Sequence, residues 1–288
     1  MSEASGGFSN REDRDRLSAV RPERVAFVTY ADGDTARALA ETLAGEAASR
    51  FGFEGVYVPA EAQLDDVDAV VSVGGDGTVL HAAAAAREAD VPILGINLGR
   101  VGYLAEVEMD AVDHVLKRLG AGDLDTVEHP TIAVEFEDGT ATTAINDIVV
   151  EKVVSQRIVD LEVRIDGELL TTYRADGIIV ATPLGSTAYS LSAGGPIVQP
   201  TVGCMVMTPI APHSLLSRSF VLRSESIIGI RAVSARPAQV NVDGRGARQL
   251  ERGETVRVTT SDRPVRFLLT GATPFPRAVR DQFGLDHA

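Results

Sequence analysis

The stretch Val67-Asp68-Ala69-Val70-Val71-Ser72-Val73-Gly74-Gly75-Asp76-Gly77-Thr78 passes from an apolar run into a glycine-rich loop, and an alanine-rich segment follows as far as Glu88. The apolar run predicts a strand, and the alanine-rich segment predicts a helix. A loop between such a strand and helix lies at the carboxyl end of the strand, where open α/β sheets bind their ligands. This stretch therefore predicts an α/β fold and the position of its site.

Alternating strands and helices surround this stretch. Residues 25–30 and 91–98 predict two further strands, and residues 35–50 have the i, i+3, i+4, i+7 apolar spacing of an amphipathic helix. Residues 110–119 predict another helix. Because this alternation is typical of a doubly wound parallel sheet, we expect an α/β domain over residues 25–125.

The chain changes character near residues 120–129, beyond which short β-branched runs follow one another. Asp166-Gly167 between two of these runs is a strong hairpin signal. We expect a mostly antiparallel β-rich domain over residues 126–262, with one helical insertion after Thr187. The predicted strands are residues 131–136, 147–153, 159–165, 168–173, 177–181, 206–208, 219–222, 227–232, 239–242 and 254–259.

The two ends of the chain differ from these domains. Residues 1–24 are polar, charged and rich in Ser and Gly, which predicts a flexible tail rather than a signal peptide. We expect residues 263–288 to form a C-terminal segment that packs back on the N-terminal domain.

Composition and charge exclude several classes of protein. No apolar run reaches the roughly 18–20 residues needed to span a bilayer. Cys204 is the only cysteine, so neither an intrachain disulfide nor a thiolate metal cluster can form. A net charge of −14 disfavours a nucleic-acid binder, which needs a basic face. We expect a cytoplasmic protein that binds neither nucleic acid nor membrane.

The basic residues are unusual, because only Lys117 and Lys152 are lysines among 27 cationic side chains. Abundant Asp and Glu with scarce Lys indicate a salt-adapted cytoplasm, such as that of a halophilic archaeon. An ordinary acidic cytosolic protein is the alternative. In about 1 M salt the Debye length is only about 3 Å, which would screen the repulsion between this chain and a polyanionic ligand.

The loop formed by Gly74, Gly75, Asp76, Gly77 and Thr78 suits phosphate, because glycines let a ligand approach the N–H groups at a helix start. It matches neither G-x-x-x-x-G-K-[ST] nor G-x-G-x-x-G. A carboxylate in this loop would repel phosphate unless it served a hydroxyl group or a metal. We therefore expect Asp76 to accept a substrate hydroxyl, with a tight turn capped by Asp as the alternative.

Polar segments in the β-rich half extend the candidate site. Asn146-Asp147, flanked by β-branched residues, indicates a strand edge at a pocket, although solvent-facing alternation also explains it. Residues 174–177 and 182–196 combine hydroxyl groups, glycines and small residues, a composition that favours a ligand site. Ser186 and Thr187 are candidate helix caps, and Tyr189 is a candidate either for stacking on an aromatic ligand or for filling the core.

These segments together resemble NAD kinases in order and spacing over roughly residues 25–275. The resemblance extends to residues 97–104, 209–215 and 240–244. Gly-Gly-Asp-Gly-Thr alone is shared with diacylglycerol kinases and resembles part of 6-phosphofructokinases, whereas Gly-Ser-Thr-Ala-Tyr with Asn-Asp upstream is far more specific to NAD kinases. Leu184 stands where the family commonly has Ser or Thr, and Asp147 stands where it commonly has Glu.

The resemblance implies phosphorylation of the 2′-hydroxyl of the adenosine ribose of NAD, giving NADP, with ATP or polyphosphate as donor. It implies Asp76 as the proton acceptor and Gly74, Gly75, Gly77 and Thr78 as the phosphate loop. A divalent cation, Mg²⁺, is expected to arrive with the donor, since the chain has no dense carboxylate cage. The family also implies a homodimer or homotetramer. The implied NAD-binding residues are Asp76, Gly77, His81, Asn146, Asp147, Arg174, Asp176, Thr187, Ala188, Tyr189, Ser190, Leu191, Ser192, Ala211 and Asn241.

Two other functions stay open. Another kinase of the same superfamily, such as a lipid kinase, is one, although the chain has no basic membrane-facing stretch. A non-catalytic dinucleotide sensor is the other, although a sensor needs no base such as Asp76.

Overall fold

A computed structural model describes residues 16–17, 20–30, 34–59, 62–99, 102–154, 157–271 and 275–285. Most of the predicted flexible tail lies outside these ranges. Two of its residues, Arg16 and Leu17, pair with Val127 and Thr126.

The N-terminal half alternates strands and helices around a seven-stranded sheet. Its central strands pair in parallel, as the alternation predicts. The third strand was not predicted, because Gly55 and Pro59 interrupt its apolar character. The elements are β1 (Arg16–Leu17), β2 (Arg24–Thr29), α1 (Asp34–Arg50), β3 (Glu54–Pro59), β4 (Ala69–Val73), α2 (Asp76–Glu88), β5 (Ile93–Ile96), α3 (Val112–Ala121) and β6 (Thr126–His129).

The β-rich half consists of two six-stranded sheets in which every pair of strands is antiparallel. Together with the first sheet, they confirm the predicted fold class. The elements are β7 (Ile132–Phe136), β8 (Ala141–Ala144), β9 (Asp147–Lys152), β10 (Val159–Ile165), β11 (Glu168–Ala175), β12 (Gly177–Ala181), α4 (Tyr189–Ser192), β13 (Cys204–Ile210), β14 (Phe220–Arg223), β15 (Ile228–Ala232), β16 (Ala238–Val242), β17 (Arg245–Leu250) and β18 (Thr255–Thr260).

The chain then returns to the first sheet. β19 (Val265–Leu268) pairs in parallel with β5 and antiparallel with β6, and α5 (Phe275–Phe283) follows it. Residues 126–129, predicted to begin the β-rich domain, therefore pair within the first sheet. The limits of the domains stay a prediction.

The helical insertion after Thr187 is shorter than a regular helix. A 3₁₀ turn (Leu184–Thr187) and the single turn of α4 make it up. The predicted caps are wrong, because the Ser186 hydroxyl donates to the Pro183 carbonyl at 2.6 Å and α4 has no side-chain cap. The hydroxyl groups in this segment stabilise a tight loop instead.

Two apolar layers cover the first sheet, and the inner faces of the two antiparallel sheets enclose a third core. Ile145 and Leu184 of the β-rich half are buried in the same cluster as Val79 and Leu104 of the N-terminal half. This shared cluster holds the two halves together. Within the ranges that the structure describes, no helix is both long and apolar enough to cross a membrane.

Gly120 in α3 lies so close to the α1–β3 connection that a β-carbon there would be 1.8 Å from the Phe51 carbonyl oxygen. We expect Gly120→Ala to lower the free energy of unfolding by roughly 1–3 kcal/mol, the range for overpacking. Gly45→Ala in α1 is the matched control, because nothing lies within 4 Å of its added carbon.

The control should raise the free energy of unfolding by roughly 0.5–1 kcal/mol through helix propensity. Urea unfolding followed by circular dichroism measures both variants. Equal effects at the two positions would contradict the close packing of α3 on the α1–β3 connection.

Candidate functional site

Asp76, the first residue of α2, anchors the loop that follows β5. Its Oδ2 accepts the Tyr103 N–H at 2.8 Å, and its Oδ1 accepts the N–H groups of Leu104 and Ala105 at 3.0 and 3.1 Å. A β-carbon at Gly102 would lie 2.0 Å from Oδ1, so only glycine fits there. Since a carboxylate has about four acceptor positions, Oδ2 keeps one for a ligand.

The glycines around Asp76 have different roles. A β-carbon at Gly74 would lie 2.5 Å from the Thr78 hydroxyl oxygen, so Gly74 permits close packing inside the loop. Gly75 and Gly77 are exposed, with open space where a side chain would project. The helix begins two residues earlier than predicted, and Gly75 at its start provides no side-chain cap. The loop is therefore open to a ligand at Gly75 and Gly77.

His81 lies one helical turn beyond Gly77 and is held on two sides. Its ring stacks on Tyr30, with 4.5 Å between the ring centroids. The Arg245 guanidinium, from the β-rich half, contacts its Nδ1. Burial lowers the pKa of His81, and the charge of Arg245 lowers it further. The imidazole is therefore neutral at neutral pH, and its Nδ1 accepts a hydrogen bond.

Asp243 fixes the backbone of the predicted Asn146-Asp147 pair. Its carboxylate accepts the N–H groups of Ile145, Asn146 and Asp147 at 2.8, 2.7 and 3.1 Å. Burial raises the pKa of Asp243, while these three donors oppose that rise. Sequence reasoning did not assign this residue to the site. Its signal was the dipeptide Asp243-Gly244 between two strands, the same signal that correctly predicted the hairpin at residues 166–167.

The hydroxyl-rich segment packs directly on the other side of Asn146. The Thr182 hydroxyl donates to the Ile145 carbonyl at 2.7 Å and accepts the Gly185 N–H at 3.0 Å. A β-carbon at Gly185 would lie 2.1 Å from the Asn146 carbonyl oxygen. The structure thus brings together two segments that are separated by more than thirty residues in the sequence. Leu184 is buried in the shared apolar cluster.

Tyr189 belongs to α4, which packs on β12 and β13, and its side chain is 42% exposed. Burial raises the pKa of its phenol, and the charges of Glu151, Asp176 and Asp147 raise it further. These influences place the predicted residues Asp147, Asp176 and Tyr189 in one neighbourhood. An exposed aromatic ring among carboxylates suits a ligand with an aromatic base and hydroxyl groups.

Polar contacts organise the rest of this face. Lys152 forms an ion pair with Asp176, with 2.7 Å between Nζ and Oδ1. The Asn241 amide donates to Glu151 Oε1 at 2.7 Å. Glu151 and Lys152 were not predicted as site residues, because alternation along a strand also explains charged positions. They hold Asp176 and Asn241 in place.

The remaining predicted site residues differ from one another in burial and in contacts. Ser190 is buried, and its hydroxyl lies 3.1 Å from that of Thr208, so its side chain contacts the protein core. Arg174 is exposed, and its carbonyl accepts the His213 N–H. Ala211, exposed with φ of 43°, follows the residue whose carbonyl accepts the Asp176 N–H. Thr187, Ala188 and Leu191 are half-buried, and Ser192 is exposed.

A cavity of about 1790 Å³ lies beside the 102–104 loop and α5. Gly102, Tyr103 and Leu184 line it, but none of the predicted site residues does. Acidic residues outnumber Arg118 in its lining, an environment that opposes a polyanion. We therefore place the candidate site around Asp76 and Asn146, although this cavity is large. Among the described residues, no three His, Cys, Asp or Glu side chains are grouped to hold a metal ion.

Comparison with known proteins matches this chain to one family. The model of the ATP-NAD kinase N-terminal domain matches residues 14–124, and that of the ATP-NAD kinase C-terminal domain matches residues 145–270. An NAD kinase of Moorella thermoacetica is 39% identical over 274 residues, which cover 91% of this chain and 85% of that protein. The relatives are mostly bacterial and give no support to an archaeal source.

Solved structures agree. Yeast NADH kinase complexed with NADH has a TM-score of 0.78 and 25% identity, covering 93% of this chain and 89% of that one. An NAD kinase from Archaeoglobus fulgidus in complex with ATP has a TM-score of 0.71 and 29% identity, covering 90% and 97%. The similarity thus spans both halves of the chain.

Asp147 gives the site a pH dependence. It is 5% exposed, and burial together with the charge of Asp243 raises its pKa from 3.8 to about 7. The folded protein therefore holds this proton more tightly than the unfolded chain does. The stabilisation is complete below pH 3.8, declines as the pH rises, and is lost above about pH 7.

Between pH 5 and 7 the free energy of unfolding of the wild type should fall as the pH rises. We expect Asp147→Asn to reduce this slope by up to about 1.4 kcal/mol per pH unit. Urea unfolding at each pH measures this. Asp138→Asn is the control with the opposite sign, because hydrogen bonds from Thr140, and a further one from Arg248, lower the pKa of Asp138 to about 2. Its effect should appear only at acid pH. An unchanged slope in Asp147→Asn would mean that Asp147 is ionised in the folded protein.

Proposed function

Because the chain belongs to the NAD kinase family, we propose that it phosphorylates the 2′-hydroxyl of the adenosine ribose of NAD to form NADP. One observation carries the proposal. The open glycine loop at Asp76 and the polar face around Asn146 and Tyr189, here called the nucleoside face, are joined through one apolar cluster. Transfer of a phosphoryl group to a hydroxyl of a dinucleotide requires that a phosphate loop and a nucleoside face lie next to each other.

Asp76 is proposed as the proton acceptor. Its free position on Oδ2 accepts the hydrogen bond of the ribose hydroxyl, as the contacts of its other lone pairs suggest. As the ribose oxygen bonds to the γ-phosphorus of ATP, the hydroxyl proton passes to Asp76. The bond between the γ-phosphorus and the bridging oxygen breaks, and ADP leaves. A divalent cation such as Mg²⁺, carried by the donor, would neutralise the charge of its phosphates.

The other predicted residues are proposed to bind the dinucleotide. Asn146 and Asp147 contact its adenine and ribose region, and Tyr189 stacks on it; their clamped backbone and shared neighbourhood support this. Thr187, Ala188, Leu191 and Ser192 surround the adenosine, Ser190 supports them from the core, and Ala211 closes the pocket. His81 is assigned to the phosphates, and Asn241, which Glu151 holds in place, is assigned to the dinucleotide.

Arg174 and Asp176 are proposed to line the nicotinamide side. Arg174 forms no ion pair with the described residues and projects from the surface, which supports a role across a subunit boundary in a homodimer or homotetramer. We also place the protein in the cytoplasm.

The defining experiment incubates the protein with Mg-ATP and NAD and measures NADP. Separate reactions replace ATP with polyphosphate, NAD with NADH, and NAD with diacylglycerol. We expect NADP from ATP and NAD. Phosphorylation of diacylglycerol instead would favour the lipid kinase, and NAD binding without turnover would favour the sensor.

We expect Asp76→Asn to lower turnover by at least about a hundredfold, the effect of losing a general base. Steady-state kinetics with both substrates measures it. Asparagine also cannot accept all three loop N–H groups, so a loosened loop must be separated from a lost base. Asp243→Asn loosens the matching clamp but keeps Asp76, so it should raise the KM for NAD and retain more turnover than Asp76→Asn. Near-normal turnover in Asp76→Asn would remove Asp76 from the reaction.

Salt adaptation is proposed from the net charge of −14 and the two lysines. We expect activity to persist or rise as KCl increases to about 1 M, because screening weakens repulsion of the polyanionic substrates. Initial rates across a KCl series test this, with equal osmolality of sorbitol as the control. Loss of activity at molar KCl would support the ordinary acidic enzyme.

A further inference from the structure

The backbone position of Arg245 is fixed by the turn that precedes it. It is the first residue of β17, opposite Val242 and directly after the two-residue turn Asp243-Gly244, whose φ angles of 47° and 77° are both positive. Asp243 is itself fixed by the three backbone donors of residues 145–147. The base of the Arg245 side chain is therefore set by the same clamp that orders the nucleoside face.

The side chain of Arg245 crosses from the β-rich half to α2. Its guanidinium contacts His81 Nδ1, 164 residues away in the sequence. Among the described residues, no carboxylate oxygen lies within 4 Å of it, although its charge does lower the pKa of Asp243. Arg248 on the same strand is different, because it pairs with Asp138 and Glu254. Lys152, the nearest lysine to the nucleoside face, pairs with Asp176.

His81 shows which surface of α2 Arg245 approaches. Residues four apart on a helix lie on the same face, so His81 shares a face with Gly77. Gly77 is exposed, and nothing lies within 4 Å of the position a side chain would take. Asp76 projects from a different face toward the 103–105 loop. Arg245 thus borders the open face of the glycine loop.

A neutral imidazole is a weak partner for a guanidinium. Arg245 donates to Nδ1 of His81, so the ring proton lies on Nε2. A phosphate group offers a guanidinium two parallel charge-assisted bonds, which are shorter and stronger than a bond to a neutral ring. In a chain of net charge −14, a polyanion needs a local cation that is not already neutralised by a carboxylate.

We propose that Arg245 is a phosphate ligand of the phosphoryl donor, which it binds from the β-rich half across the open face of Gly77, and that it rests on His81 when no donor is bound. The proposal rests on the proposed kinase function and adds a residue to it. Such a guanidinium stabilises the negative charge on the equatorial oxygens of the transferred phosphoryl group. His81 then offers its Nε2–H as a second donor to the same phosphates.

Kinetics of Arg245→Gln test the proposal in the intact chain. We expect the KM for ATP to rise at least about tenfold and kcat to fall about 10- to 100-fold, with the KM for NAD changed less than about twofold, as befits a lost charge-assisted contact to phosphate. Arg245→Lys should keep part of the affinity, since a point charge replaces the planar fork. Arg252→Gln is the charge-matched control, because Arg252 is exposed and its side chain bonds to no described residue.

A direct binding measurement tests the role of Arg245 independently of turnover. Calorimetric titration with Mg²⁺ and a non-hydrolysable ATP analogue should show at least about tenfold weaker binding to Arg245→Gln than to wild type or Arg252→Gln. An unchanged donor affinity would overturn the role of Arg245, as would an equal rise in the KM of both substrates. A wild-type chain that binds the analogue but forms no NADP would instead overturn the proposed function. Thermal unfolding of each variant shows that it is folded.

Discussion

Two aspartate carboxylates, each accepting three consecutive backbone N–H groups, hold the site together. Asp76 binds residues 103–105, and Asp243 binds residues 145–147. Ionised acceptors make the stronger class of hydrogen bond, and loss of either carboxylate would leave three donors without their partner. Each clamp joins an element to a loop distant in sequence. The glycine loop and the nucleoside face depend on these two clamps for their shape.

The charges around Tyr189 differ from those on the open face of α2, which Arg245 reaches from β17. The face around Tyr189 has the carboxylates of Asp147, Glu151 and Asp176, which suit hydroxyl and amino groups and oppose phosphates. The face of α2 has open glycines, a neutral imidazole and Arg245. A ligand with a nucleoside at one end and phosphates at the other is thus favoured in a single direction. The net charge of the chain does not describe this local separation.

Local patterns predicted most of the fold. Buried Val- and Ile-rich strands and the helix period of α1 are visible in short windows, and Asp166-Gly167 specified its hairpin. β17 was not predicted, because its sequence Arg-Gly-Ala-Arg-Gln-Leu lacks alternating apolar residues. The composition of the glycine loop and of the segment after Thr182 indicated a site. The clamps and the contact of Arg245 with His81 could not be predicted, because they depend on backbone groups and tertiary pairing.

The position of β19 between β5 and β6 has a consequence for synthesis of the chain. The whole β-rich half lies in the chain between β6 and β19, which are neighbouring strands of the first sheet. On the ribosome, where domains fold as they emerge, the parallel core of β2 to β5 has an unpaired edge until residue 268 has been translated. Such an edge is a template for pairing with other chains. All strands of the antiparallel half precede β19 in the chain, so the first sheet can be completed only after they have been translated.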